Sequence, residues 1–594
     1  SRKIGAKALA ILPQDGGGTF TVTAEPHLDA DEPQALTDAQ ILTLAAIGQR
    51  IAQHYGAPQD VEWALRKNEF TILQARPITS LYPLPDLPYT PDNERIYFSF
   101  NAGQGVPDPF TPLGIAALHL LARGTGFKRS PQEFLAVAGK RLFIDVTDVA
   151  RDPRLKHILL AGLARADPAA RQTVIALMQT GRITTHHTLT FAYARAISGG
   201  VRMLIARVLR NMREPDSAQA RALTYADAYF TQTRDHVRAT QTLAELLRVM
   251  ETDLPRMIGA MMAHMLPAIL PAFAGMALVD EWLTKWLGLP KGSGLVFMRA
   301  LRGNVTAEMS LKLWDAAQTI RADDSARERM LNASVEHLVA DYRSGALPAT
   351  AQNAIAKFLD EYGMRAVAEI DMGRERWRED PTSILQTLHG YLQLDDPKLA
   401  PDVLYEQGAR EADHLRDEYV ARVRRTPFGA VRAKLLGAMI HRMRTLGGLR
   451  ETPKFYGIKT FDLFRTALLE HGRALVTQSQ LNQTDDIFFV PFDDLQNVAR
   501  GQEVDLKTIV AAQRADYERE RGRRQLPRVL MSTGEVFYGG MKSANPNDLV
   551  GDGVSPGVAE GIVRVVLDPR GVRLAPGEIL VCPATDPGWT PLFL

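Results

Sequence analysis

At 594 residues the chain exceeds what one hydrophobic core holds, and its length predicts roughly three or four domains. With 45% hydrophobic and 23% charged residues and a formal net charge of +2, the composition excludes a chain built around nucleic acid or an anionic membrane. The single cysteine, Cys582, excludes an internal disulfide and fits a reducing cytosol; the N-terminal "SRKIGAKALAIL" reads as no signal peptide, so a cytoplasmic location is expected.

Residues 1–80 read as mixed strand and helix. "LTDAQILTLAAIGQRIAQHYG" predicts an amphipathic helix with Leu42, Leu44, Ala45, Ile47 and Ile51 as its stripe and Gly56 as its stop. "VEWALRKNEFTILQARPIT" predicts a hairpin, with Val61–Leu65 and Phe70–Arg76 joined by Lys67-Asn68-Glu69. A three-residue loop pairs Arg66 with Phe70, Ala64 with Ile72 and Glu62 with Gln74. Val61, Trp63 and Leu65 then lie opposite Ala75, Leu73 and Thr71. This register presses Trp63 and Leu73 into a core and leaves Glu62, Gln74 and Arg76 on a second face. An acid, an amide oxygen and a guanidinium together suit a nucleotide polyphosphate, because the oxygens are hard magnesium ligands and arginine grips phosphate through two bonds. The same pattern also fits an ordinary half-exposed hairpin carrying a surface ion pair.

"SLYPLPDLPYTPDNE", with Pro83, Pro85, Pro88 and Pro91, reads as an extended linker and the clearest domain boundary. Residues 95–548 read as mainly helical. "LYEQGAREADHLRDEYVARVRR" places Leu404, Ala409, Ala412, Leu415, Tyr419 and Val423 on one helix face, and short strands are expected at "RIYFSF", "RLFIDVT" and "DDIFFVPF". Between Met257 and Val279 there is no Asp, Glu, Lys or Arg. That length could span a bilayer, but Pro267, Pro271 and His264 favour a buried, kinked helix pair instead. Its methionines, among them Met261, Met262 and Met265, suit either an adaptable apolar pocket or plain core. In "EYGMRAVAEIDMGRERW", Arg365, Glu369, Asp371, Arg374, Arg376 and Trp377 are concentrated, and Arg365 and Glu369 would be neighbours on a helix. They form either a polar wall for a ligand or a buried ion-pair network, the second being favoured. The basic "RADYERERGRRQLPR" reads as a solvated helix face. From Gly551 the chain turns to short Val/Ile strands with Gly and Pro turns.

"PQDVEWALRKNEFTILQARPIT" resembles the closing hairpin of the ATP-grasp domain in the phosphoenolpyruvate synthase and rifampin phosphotransferase family. The resemblance implies that Glu62 and Gln74 bind the Mg2+ of ATP and that Arg76 contacts phosphate. "SPGVAEGIVRVV" and "TDPGWTP" resemble the start of that family's swivelling phosphohistidine domain. The expected architecture is therefore multidomain α+β: the C-terminal part of an ATP-grasp domain (1–80), a linker (81–94), a mainly helical acceptor-binding domain (95–548) and a truncated phosphohistidine domain (549–594). The family's phosphoryl-carrier histidine would lie beyond Leu594, and no glycine-rich lobe precedes Glu62. The chain thus reads as an interior fragment, inactive alone. His186-His187 lacks the family's Gly-Gly turn and reads as ordinary.

A helical insert between the ATP and histidine domains is similar to the rifampin phosphotransferase branch. "RLFIDVTDVARDP", "GNVTAEMSLKLWDAA", "YGMRAVAEIDMGRERWREDP", "LRETPKFYGIKTFDLF" and "PRVLMSTGEV" occur in that branch's order, with Ala368 where the family has Gly. The implied activity is a two-step kinase reaction: ATP phosphorylates the mobile histidine, releasing AMP and phosphate, and the histidine then phosphorylates a hydroxyl. The acceptor is expected to be a rifamycin-like, lipophilic antibiotic, implying antibiotic resistance. Its expected pocket includes Gln104, Met261, Met262, Met265, Arg365, Glu369, Asp371 and Arg376. Two alternatives stand beside this one: a phosphoenolpyruvate synthase-like enzyme on a small acid, and a non-catalytic binding protein lacking the histidine.

Overall fold

The computed structural model describes residues 9–14, 18–23, 36–56, 58–78, 82–87, 94–125, 130–181, 183, 191–523, 525–539, 558–567, 572, 574–575 and 577–582. His186-His187 and "TDPGWTP" lie outside the described residues. The chain divides into two compact units, Ser1–Tyr82 and Pro83–Leu594.

In the first unit, β1 (Leu9–Pro13) pairs antiparallel with β2 (Thr19–Thr23). Helix α1 (Asp38–Tyr55) opens with a capping box between Thr37 and Gln40 and closes on Gly56 at φ 65°. Its half-buried stripe is Leu44, Ile47 and Ile51, whereas Leu42 is 71% exposed and Ala45 is exposed, so the predicted stripe was too wide. Strands β3 (Gln59–Arg66) and β4 (Glu69–Pro77) form the expected hairpin, with a different turn. The loop is the two-residue Lys67-Asn68, at φ 50° and 67°, whose left-handed pair matches the twist of adjoining strands. Arg66 therefore faces Glu69, Leu65 faces Phe70 and Trp63 faces Ile72. A bulge between Glu62 and Trp63 then absorbs Leu73 and restores the phase, so Glu62 still faces Gln74 and Val61 faces Ala75. Trp63 and Leu73 are not core: they are 37% and 64% exposed. The bulge turns Leu73 out, and no residue of α1, β3 or β4 is fully buried.

The second unit carries a five-stranded antiparallel sheet in the order β6–β7–β5–β8–β9, formed by β5 (Ile96–Ser99), β6 (Leu135–Ala138), β7 (Arg141–Asp145), β8 (Val529–Met531) and β9 (Val536–Phe537). "RIYFSF" and "RLFIDVT" are thus strands as expected, and β5 is buried along its whole length at the sheet's centre. "DDIFFVPF" is instead a short 3-10 helix, Thr484–Phe489. The Asp486 carboxylate accepts from the Asn482 and Gln483 backbone N–H groups, fixing a turn that buries Ile487 and Phe488. A separate pair, β10 (Ile562–Val565) and β11 (Glu578–Val581), runs parallel.

Around the sheet the unit is helical. Its elements include α2 (Phe100–Gln104), α3 (Pro112–Arg123), α4 (Pro215–Ala239), α5 (Leu243–Leu287), α6 (Pro401–Arg424), α7 (Gly429–Gly447), α8 (Thr452–Thr477) and α9 (Leu506–Arg521). One core cluster joins Leu113, Leu254, Met257, Phe461, Phe464 and Phe488; a second is built on Trp314, Ile355 and Tyr391. The apolar segment is one continuous helix rather than a pair. α5 runs unbroken through Pro255, Pro267 and Pro271; a π-helical turn at Met261–Met265 precedes Pro267, which then sits in the first turn of the next α-segment, where a missing N–H costs little. By length and apolarity α5 could cross a membrane, yet 44% of its most apolar window is buried within the protein.

Candidate functional site

Alternation along the paired strands puts Asp60, Glu62, Gln74 and Arg76 on one face of the hairpin, with Glu62 directly across from Gln74 and Asp60 from Arg76. All four are exposed. Among the described residues, neither the Glu62 carboxylate nor the Gln74 amide makes a side-chain hydrogen bond, so their oxygens are uncommitted. Arg76 is engaged: its Nε donates to Asp60 Oδ2 at 2.9 Å, and its Nη2 stands 2.8 Å from the same oxygen as an ion pair. Asp60 is the member of this face that sequence reasoning missed. The signal was present, since Asp60 lies two residues before Glu62 and the same register sets it opposite Arg76. Three oxygen-bearing side chains beside a guanidinium form a donor set suited to a hard cation and an oxyanion.

The "EIDMGRERW" segment is a different kind of assembly. Residues 363–381 contain no helix, so Arg365 and Glu369 meet across a turn rather than along a helical face. They form a buried ion pair at 2.6 Å, and Lys454 of α8 approaches the other Glu369 oxygen at 3.3 Å. Ala368, with φ 53°, makes the left-handed turn that delivers Glu369. Asp371 accepts from Thr111 N at 2.9 Å, from Thr111 Oγ1 at 2.7 Å and from Gly373 N at 2.9 Å. Burial pushes its carboxyl above the usual range, while those bonds pull the other way. A side chain at Gly114 would place its Cβ 2.0 Å from Asp371 Oδ1, and one at Gly373 would meet Thr111 Oγ1 at 2.4 Å, so only glycine admits this approach. Arg376 is fully buried, donating to the Glu369 and Asp371 carbonyls at 2.8 and 3.3 Å. Burial, and then the charge of Arg465, lower its pKa to about 10. Arg465 in turn grips both Glu379 oxygens, at 2.7 and 2.6 Å. Apart from the buried Arg376 Nε, which has no partner among the described residues, these groups satisfy one another: the cluster is a network of ion pairs and hydrogen bonds holding the segment to α3 and α8.

The eight expected acceptor-pocket residues are not brought together. Met265 is buried among Ala222, Ala268 and Ile269, Met261 is half-buried between two core clusters, and Met262 is 46% exposed. Gln104 ends α2 on the surface. A cleft of about 530 Å³ is lined by Arg374, Arg376, Trp377, Phe489, Arg514 and Tyr517. Of the eight, Arg376 borders it; Arg365, Glu369, Asp371, Gln104 and the three methionines do not. Arg374 connects the cleft walls, donating to the Tyr517 hydroxyl at 2.8 Å and pairing with Asp108 at 3.1 Å.

Comparison with known proteins supplies the context for both regions. Residues 1–84 match the family model of the pyruvate phosphate dikinase AMP/ATP-binding domain, and residues 264–451 match that of the rifampicin phosphotransferase fourth domain. Over its whole length the chain is 31% identical to a rifampicin phosphotransferase of Streptomyces sviceus and 29% identical to one of Bacillus subtilis. Across 98% of its length it is 26% identical to the prodigiosin synthesizing transferase PigC of Serratia marcescens, covering 67% of that protein. The chain spans 66% of the length of the two rifampicin phosphotransferases.

Proposed function

We propose, from the premise that the chain belongs to the phosphoenolpyruvate synthase and rifampin phosphotransferase family, that it works in ATP-dependent transfer of phosphate to a hydroxyl of a lipophilic acceptor of the rifamycin kind. The observation that carries this reading is the hairpin face. Glu62 and Gln74 stand opposite each other with free oxygens, and Arg76 is held by a single oxygen of Asp60. Magnesium, when bound there, would supply positive charge against the polyphosphate, with Glu62 and Gln74 as its protein ligands. Arg76 would keep its remaining N–H donors for a phosphate oxygen, and Asp60 would orient the guanidinium rather than contact nucleotide. The helical unit, in which residues 264–451 match the rifampicin phosphotransferase fourth domain, would receive the acceptor.

Calorimetric titration of the chain with ATP and magnesium tests the assignment. Glu62→Ala and Gln74→Ala should each weaken binding at least tenfold, while a rifamycin titration followed by tryptophan fluorescence stays unchanged. Unaltered nucleotide affinity would refute the metal ligands; no saturable fluorescence change would refute the acceptor class. The similarity to a prodigiosin synthesizing transferase supports a second reading, in which the acceptor is an intermediate of small-molecule synthesis rather than a finished antibiotic.

A further inference from the structure

A cleft of about 720 Å³ opens where α4, α6, α7 and residues 300–302 meet. Four arginines line it, Arg302, Arg410, Arg416 and Arg444, against three carboxylates, Asp216, Glu406 and Asp413. The charges are not all matched. Arg410 is committed to Glu406 at 3.3 Å, and Arg416 to Asp413 at 2.8 Å and Asp417 at 2.9 Å. Asp216 faces His441 at 3.8 Å. Among the described residues, Arg302 and Arg444 have no carboxylate within 4.0 Å. Arg302 is exposed, and Arg444 is half-buried with Nη1 on the Phe297 and Arg299 carbonyls at 3.4 and 3.2 Å.

Two guanidiniums with no carboxylate in ion-pairing range, one of them partly desolvated, keep N–H donors that an anion in the cleft would engage. Burial lowers the Arg444 pKa; the charge of Asp413 works against this, and those of Arg416 and Arg302 add to it. Tyr405 lies in the field of the same pair, since Arg302 and Arg444 both act to stabilise its phenolate against burial. The segment that presents Arg302 is fixed in shape. Ala300, which borders the cleft, and Gly303 both adopt positive φ, 48° and 73°, and a Cβ at Gly303 would stand 2.4 Å from Gln219 Nε2 of α4. A left-handed alanine persists only where the surroundings hold it.

We propose that this cleft binds a phosphate-bearing small molecule, gripped by Arg302 and Arg444 with the Tyr405 hydroxyl as a further donor. Four guanidiniums against three carboxylates leave the lining net positive, which favours an anion, and the planar guanidiniums of Arg302 and Arg444 offer paired N–H groups to phosphate oxygens. The volume leaves room for the organic part of a phosphorylated metabolite. The site lies in the helical unit and does not depend on the nucleotide reading of the hairpin.

Calorimetry with inorganic pyrophosphate, at low ionic strength and with EDTA present so that metal-dependent nucleotide binding is silent, tests the proposal. The expected result is one saturable event, weakened at least tenfold by Arg302→Gln and by Arg444→Gln, with acetate giving no saturable heat. Arg302 has no side-chain partner to lose, so its variant should melt with the parent protein and isolates the binding effect. Absent pyrophosphate binding, an unchanged affinity in Arg302→Gln, or acetate binding as tightly as pyrophosphate would each overturn it.

Discussion

Replacing Asp371 by alanine should cost the protein about 3–4 kcal/mol, a figure that follows from three donors left without an acceptor. The carboxylate takes Thr111 N, Thr111 Oγ1 and Gly373 N, all within 2.9 Å. Each buried donor stranded in this way costs about 1–3 kcal/mol, offset in part by no longer desolvating the carboxylate. The damage should spread along one line, because Thr111 Oγ1 also caps α3 by accepting from Gly114 N at 3.1 Å. Asparagine keeps one oxygen for two of the donors but turns its NH2 toward the third, so Asp371→Asn should lose about 2 kcal/mol. Urea unfolding gives the total, and hydrogen exchange at the Thr111, Gly373 and Gly114 amides locates it. If Asp371→Ala unfolds within 1 kcal/mol of the parent, or if those three amides exchange no faster, the network is not what holds this segment to α3.

Ala368→Gly should stabilise the protein by roughly 0.5–1 kcal/mol, since a left-handed alanine carries about 1–2 kcal/mol of strain and glycine returns part of that gain as unfolded-state entropy; a lower urea midpoint would refute this. Asp60→Asn should leave thermal stability within about 0.5 kcal/mol, because the pair with Arg76 is exposed, while raising nucleotide affinity a few-fold by releasing the guanidinium. Loss of affinity would instead make Asp60 a ligand. Burial, with help from Arg123, holds the His119 pKa below the usual 6.5, and the bond of Nε2 to the Leu135 carbonyl, at 2.8 Å, offsets this only in part. The unfolded chain therefore binds the proton first, and stability present above pH 6.5 is lost as pH falls through the lowered value. His119→Gln should flatten the fall in urea midpoint between pH 7.5 and 5; an identical slope would exclude His119 as its source.

Local chemistry was the most readable part of the sequence. The Gly56 stop and the β5 and β7 strands follow from residue type and spacing alone. Glu62 facing Gln74 was readable too, although by a route the sequence did not announce: a two-residue turn and a one-residue bulge reach the same pairing as the three-residue loop expected. Periodicity cannot distinguish these, because a bulge leaves the alternation intact on either side. "DDIFFVPF" reads as a strand until Asp486 is seen bonding the backbone behind it. The methionines of α5 were ambiguous for a physical reason: an apolar, flexible side chain suits a pocket and a core equally, and neighbours such as Ala222 and Ile269, distant or adjacent in sequence, settle which. The unmatched pair Arg302 and Arg444 left no trace in the sequence, since net charge counts residues and not partners.

The sheet of the second unit carries a cost in time. Its central strand, β5, bonds β7 on one side soon after synthesis, but its other edge waits for β8, and Arg95 and Ser532, which meet at that seam, are 437 residues apart. At about 5–20 residues per second, the ribosome needs roughly 20–90 s to deliver the missing strand. For that interval the nascent chain holds out a hydrophobic strand, Ile-Tyr-Phe-Ser, with an unbonded edge, the template on which two such chains can join each other. The yield of soluble protein should therefore respond to nascent-chain chaperones and to translation speed more than to any single contact in the finished fold.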